Sequence, residues 1–224
     1  MKTNSPKNNR LSNHRRAAFT LIEMIGVLAV IAILAAVLIP KIFEAINNAR
    51  VNNAAMSCNT VKTALADHYA KAGSLLADAS TNPPVVLTPP VEQFYLVLLK
   101  EAFMDKPFAT KIGDGIIDAT HTRVRAVGID NGPGGLNWTA AQAVDGTGAT
   151  GFALAGGGTN SVVGSAAIEA VITGVTAGDA KDLNDRLDGP ALGSAINAAD
   201  FNGRVKYAAP SGGVTDVYIY LTHR

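Results

Sequence analysis

Between Phe19 and Ile39 the chain carries a single ionisable side chain, Glu23, in an otherwise apolar run. A run of this length can cross the hydrocarbon core of a bilayer, which takes about 20 residues of helix. A carboxylate at that depth costs roughly 2.5–3.5 kcal/mol on insertion scales, so it calls for a neutralising partner and marks a functional position. The chemistry open to Glu23 is therefore ionic: it can pair with an amine, on its own helix or on a neighbour. Upstream, Lys2, Lys7, Arg10, Arg15 and Arg16 form a basic leader with no acid. Positive charge beside an apolar helix stays on the cytoplasmic side, which places everything after Pro40 across the membrane.

Other reactive groups are sparse. His14, His68, His121 and His223 are scattered without metal-ligand spacing, and no Ser, Cys or His stands in a nucleophile context, so the sequence reads as a non-enzyme. Cys58 is the only cysteine, which excludes an intrachain disulfide and suits a small apolar position on a helix face. Asp130-Asn131-Gly132 and Asp145-Gly146-Thr147 are oxygen-rich turns and the candidate calcium ligands, although turn formation explains them equally and no acid follows at EF-hand distance. Asp179, Asp182, Asp185 and Asp188 recur every three residues, as expected of a solvated acidic helix face. The leader holds five of the 19 basic residues, so the remainder carries 14 against 18 acidic ones. That balance gives no basic face for nucleic acid.

The positioning elements follow from periodicity. The chain of 224 residues has room for one ordinary domain beyond the apolar run. Residues 1–18 read as a removable leader, 19–40 as a membrane-spanning or filament-core helix, 41–79 as its amphipathic half and 80–224 as a globular head. Ile42, Ile46, Ala49, Ala54, Cys58, Val61, Leu65, Tyr69 and Ala72 recur at mostly three- and four-residue spacing, one stripe of an amphipathic helix. That helix runs from Phe19 to about Leu76, roughly 85 Å at about 1.5 Å per residue. Pro40 lies inside it, lacks an amide donor and crowds the carbonyl of Ala36, so a kink or local unwinding is expected there. Pro83, Pro84, Pro89 and Pro90 mark an exit loop. Glu92 to Phe103 is a short helix or a buried strand, and Thr122–Ile129, Gly151–Ala155 and Ala166–Val175 are strands. Thr176–Leu187 is a helix stopped by Gly189-Pro190. Arg204–Ala208 and Val214–Leu221 make a terminal hairpin whose Val217, Ile219 and Leu221 face the core while Tyr218 and Tyr220 face away. Glycines 132–135 and 156–158 lack the strand and helix flanks of a phosphate cradle. The fold class is α+β: a long N-terminal helix laid across a small antiparallel β-sheet.

The order Arg16-Ala17-Ala18-Phe19-Thr20-Leu21-Ile22-Glu23, then an apolar helix, then Pro40, resembles the N-terminal segment of bacterial type IV pilins and type II secretion pseudopilins. The resemblance implies cleavage between Ala18 and Phe19 by a prepilin peptidase, where the family more often has Gly in place of Ala18, followed by N-methylation of Phe19. It implies that Glu23 is a subunit-assembly contact and Pro40 a helix kink. It further implies a homopolymeric filament built at the bacterial inner membrane, with an assembly platform, a cytoplasmic ATPase and minor pilins or pseudopilins as partners. Cleavage would free the Phe19 amine, which Glu23 of an adjacent subunit, or of the same helix, would neutralise. Major pseudopilins bind calcium in a C-terminal loop, which keeps Asp130, Asn131 and Asp145 in view. Many type IV pilins close a C-terminal loop with a cysteine pair, so the lone Cys58 favours a secretion pseudopilin, whereas the Gly-rich insert favours a surface pilus for adhesion, motility or DNA uptake. A membrane-anchored binding module that does not polymerise is the alternative from another class.

Overall fold

The computed structural model describes residues 19–88, 90–128, 152, 154 and 166–223. The chain divides into two units, Met1–Ala45 and Ile46–Arg224, with helix α1 (Leu21–Ala72) contributing to both. In the first unit nearly every described side chain is exposed, and α1 is long and apolar enough there to cross a membrane. The helix runs unbroken through Pro40.

In the second unit α1 acquires a face. Val51, Ala54, Cys58, Val61, Ala64, Leu65 and His68 are buried, at the three- and four-residue spacing that keeps one stripe aligned. The sequence-based stripe is corrected at its start: Ile42, Ile46 and Ala49 are exposed, because an apolar helix shows no periodicity until it meets something to bury against. Gly73 ends the helix at φ +71°, donating its N–H to the Tyr69 carbonyl at 2.8 Å, the left-handed terminator that glycine adopts without a Cβ clash.

Two short strands, β1 (Ala77–Asp78) and β2 (Val85–Val86), pair antiparallel, and of the helix or strand left open between Glu92 and Phe103 the chain forms the helix, α2 (Tyr95–Lys100). The main sheet holds β3 (Arg123–Gly128), β4 (Ala166–Thr176), β5 (Val205–Tyr207) and β6 (Val214–His223). Its order is β3-β4-β6-β5, antiparallel throughout. Helix α3 (Ala177–Leu187) follows β4 directly and is capped by the Thr176 hydroxyl, which accepts from the Asp179 N–H at 3.2 Å. The α+β expectation holds.

Because side chains alternate across a sheet, Val124, Ala126, Ile168, Ala170, Ile172, Val217, Ile219 and Leu221 share one core with the buried stripe of α1. Fully burying a Val or Leu of this set contributes about 1.5–3 kcal/mol. The opposite face also departs from expectation. Tyr218 is buried in a second cluster with Val127, Phe152, Ala167 and Val171, so β6 has no solvent face there. Beneath it lies a fully buried Glu169, whose Oε1 accepts from Arg125 Nε at 2.6 Å, and the Arg125 guanidinium stands 5.2 Å from the Tyr218 ring. Burial pushes the Glu169 carboxyl up, while the Arg125 charge draws it back down.

The acidic row on α3 is not a uniformly solvated face. Asp182 is exposed, but Asp185 pairs with Lys181 at 2.5 Å and the Asp188 side chain is only 3% exposed. Asp188 Oδ2 accepts from the backbone N–H of Arg204 and Val205 at 2.7 and 2.8 Å, and Oδ1 from Arg204 Nε at 3.2 Å. Gly203, at φ +78°, leaves the room; a Cβ there would collide with that carboxylate. A second buried carboxylate, Asp200, accepts from Asn184 Nδ2, Ser194 N and Asn202 N at 2.6, 2.7 and 3.0 Å. Together they close the connection from α3 to β5.

Replacing Asp188 by Ala removes the acceptor of the Arg204 and Val205 backbone N–H groups and of Arg204 Nε, a loss of about 3 kcal/mol. Thermal unfolding of the full chain in detergent should show Tm lower by roughly 6–12 °C; an unchanged Tm would refute the role given to this carboxylate.

Candidate functional site

The first turn of α1 is built by reciprocal hydrogen bonds. Thr20 precedes the helix, and its carbonyl accepts the first helical bond from Met24 N at 3.2 Å. The Thr20 backbone N–H and hydroxyl both donate to Glu23 Oε2 at 2.8 Å, and Glu23 N–H donates back to Thr20 Oγ1 at 3.3 Å. This is a capping box, in which residues three apart satisfy amide donors that the helix end leaves unpaired. Negative charge is also favoured at this end by the helix dipole.

The arrangement aims the carboxylate back toward the backbone at Thr20, one residue from Phe19, whose side chain is 78% exposed. Only Oε2 is occupied by the box, so Oε1 is left to accept a cationic donor. A carboxylate oxygen of this kind accepts well from a cationic donor. Thr20 is the residue that sequence reasoning passed over: the Thr-x-x-Glu spacing was present, but the apolar setting drew attention to the charge alone.

The other proposed residues fall elsewhere. Pro40 lies in the same helix, remote in sequence from Glu23. Ala18, Asp130, Asn131 and Asp145 lie outside the described residues. Among the described residues no group of three or more His, Cys, Asp or Glu could hold a metal ion. His68 is buried against Glu101, its Nδ1 2.6 Å from Oε2, with the other Glu101 oxygen accepting from Ala79 N at 2.6 Å. His121 faces Asp118, 2.8 Å away. These histidines sit in separate structural pairs and do not converge.

Residues 13–39 match the family model of the prokaryotic N-terminal methylation motif, the cleavage signature of type IV pilins and pseudopilins. The match spans the end of the basic leader, Phe19, the capping box and the apolar run, and it stops one residue before Pro40. No curated protein and no solved structure matches the chain.

Thr20→Val keeps the bulk of the side chain and removes the hydroxyl, a cap loss of about 1 kcal/mol. Amide exchange in detergent micelles should then quicken roughly fivefold at Glu23 and Met24, whose N–H groups bond to Thr20, with positions beyond the third turn unaffected.

Proposed function

We propose that this chain is the structural subunit of a helical filament, assembled from monomers that its apolar helix holds in a membrane. The observation that carries the reading is Glu23, the only ionisable side chain between Phe19 and Ile39 of a helix long and apolar enough to span a bilayer, set inside a matched methylation motif. In the proposed mechanism a peptidase cuts between Ala18 and Phe19 and the new amine is methylated. A desolvated charge is tolerable chiefly when paired, so the Phe19 ammonium and the Glu23 carboxylate of an adjacent subunit settle together and set the axial step. The capping box keeps Glu23 in the required rotamer, and the apolar helices bundle into the filament core.

Within this reading we favour a major-pseudopilin-like component of a type II secretion system at the bacterial inner membrane, supplied by an assembly platform with its ATPase and joined by minor pseudopilins. The supporting observation is the lone, buried Cys58: the connection that ends at β5 is closed by Asp188 and Asp200 rather than by a cysteine pair. A type IV pilus subunit is the competing assignment.

Removing one partner of a desolvated ion pair costs about 3–5 kcal/mol, so Glu23→Ala should lower subunit addition on the order of a hundredfold or more while leaving processing intact. Normal filaments in that variant would contradict the pairing. Mass spectrometry of sheared and envelope fractions should find a chain beginning at methylated Phe19; recovery in the envelope supports the secretion pseudopilus, recovery in the sheared fraction the surface pilus, and an uncut leader rules out both.

A further inference from the structure

Helix α1 starts at Leu21, and Phe19 and Thr20 lie outside it. The residue types before them do not call for a helix end. Arg15, Arg16, Ala17 and Ala18 are strong helix formers, and no Gly or Pro lies between Lys7 and Gly26. Extending an existing helix carries no nucleation cost, since each added residue brings its own hydrogen bond. Propensity alone would let α1 run back past Phe19.

The capping box opposes that extension bond by bond. In a helix continued upstream, the Glu23 N–H would donate to the Phe19 carbonyl and the Thr20 N–H to the Arg16 carbonyl, each four residues back. Both donors are already taken: Glu23 N–H donates to Thr20 Oγ1 at 3.3 Å, and Thr20 N–H to Glu23 Oε2 at 2.8 Å. A cap residue also needs non-helical backbone, which Thr20 can keep only while the helix stops there.

The position of this stop bears on the proposed cleavage. Phe19 supplies the amide nitrogen of the Ala18–Phe19 bond, and hydrolysis adds water across it, leaving a carboxylate on Ala18 and the amine on Phe19. A peptide bond wound into a helix has its polar groups committed and is cut only from the opened fraction. Helix ends open and close in about a microsecond or less, whereas enzymes turn over on the order of ten times a second. The cleavage rate therefore follows the opened population.

We infer that Thr20 is a positioning residue for this cleavage: its cap halts α1 short of the Ala18–Phe19 bond and holds that bond open to the peptidase. This role rests on the filament reading, which supplies the bond. It also separates Thr20 from Glu23, because Glu23→Ala keeps the hydroxyl-to-amide bond of the cap and so leaves processing intact.

The test incubates the full-length precursor with a prepilin peptidase in detergent and follows loss of residues 1–18 by mass spectrometry. Thr20→Val keeps the shape of the side chain and removes the cap, and cleavage should slow roughly three- to fivefold. Thr20→Asn and Thr20→Gly change the shape but cap well, and should be cut at the parent's rate. Adding Ala18→Gly to Thr20→Val should restore the rate of Ala18→Gly alone, since glycine disfavours the helix by about the factor that the cap supplied. In the Thr20→Val precursor, amide exchange at Phe19 should slow as the helix extends. The quickening at Glu23 and Met24 belongs to the processed chain, which has no leader to extend into.

Thr20→Val cut at the parent's rate overturns the role of the cap and leaves the filament reading standing. Thr20→Asn and Thr20→Gly slowed as much as Thr20→Val also overturn it, since the peptidase would then be reading the threonine side chain itself. Failure of Ala18→Gly to restore the rate does the same. A parent precursor that is never cut removes the filament reading and the role of Thr20 together.

Discussion

The second unit depends on one seam, the contact of α1 from Val51 to His68 with the four-stranded sheet. Val51, Ala54, Cys58, Val61, Ala64 and Leu65 share one buried cluster with the inward-facing residues of the sheet. An apolar seam alone is tolerant of a slip by one turn, because residues four apart present similar surfaces. The His68–Glu101 pair removes that freedom. A buried imidazole, joined through Nδ1 to a buried carboxylate that is itself fastened to the Ala79 amide, makes that pair in one axial position only, and displacing it would break a buried contact in the core. Arg186 adds a second marker on the other side of the helix by donating to Asn48 and Asn52.

What was legible in the sequence follows from which forces leave a pattern. Helix α1, strand β4, the capped α3 and the terminal hairpin all bury a regular face, and period and punctuation disclosed each of them. Glu23 stood out because an isolated charge in an apolar run is conspicuous without any structure. The start of the seam falls later than the spacing suggests, because Ile42 and Ile46 have the spacing of buried residues yet are exposed. Tyr218 was assigned to solvent because tyrosine alternating with aliphatic residues looks the same whether the second face is bare or covered. The role of Asp188 was hidden for a different reason: its partners, Arg204 and Val205, lie sixteen and seventeen residues away, and no local periodicity announces a long-range acceptor.

A common device runs through these corrections. The seam, the second face of the sheet and the connection from α3 to β5 are each held by a carboxylate with little exposure: Glu101, Glu169, and Asp188 with Asp200. Such groups add little net stability compared with apolar replacements, but they penalise every arrangement in which they go unpaired. In a unit rich in Gly, Ala and Thr, whose small side chains pack in many similar ways, that penalty selects one arrangement among several.

Closing the last connection with Asp188 and Asp200 has a bearing on where and how the protein can mature. Hydrogen bonds to a carboxylate form as fast as the chain collapses, whereas a covalent sulfur bridge waits for an oxidant and for a catalyst to correct wrong partners. With its one thiol sequestered in the seam, the chain has nothing to mispair. It can reach its final form without any oxidative folding machinery, and a strongly reducing surrounding that would open a sulfur-closed loop leaves this one intact.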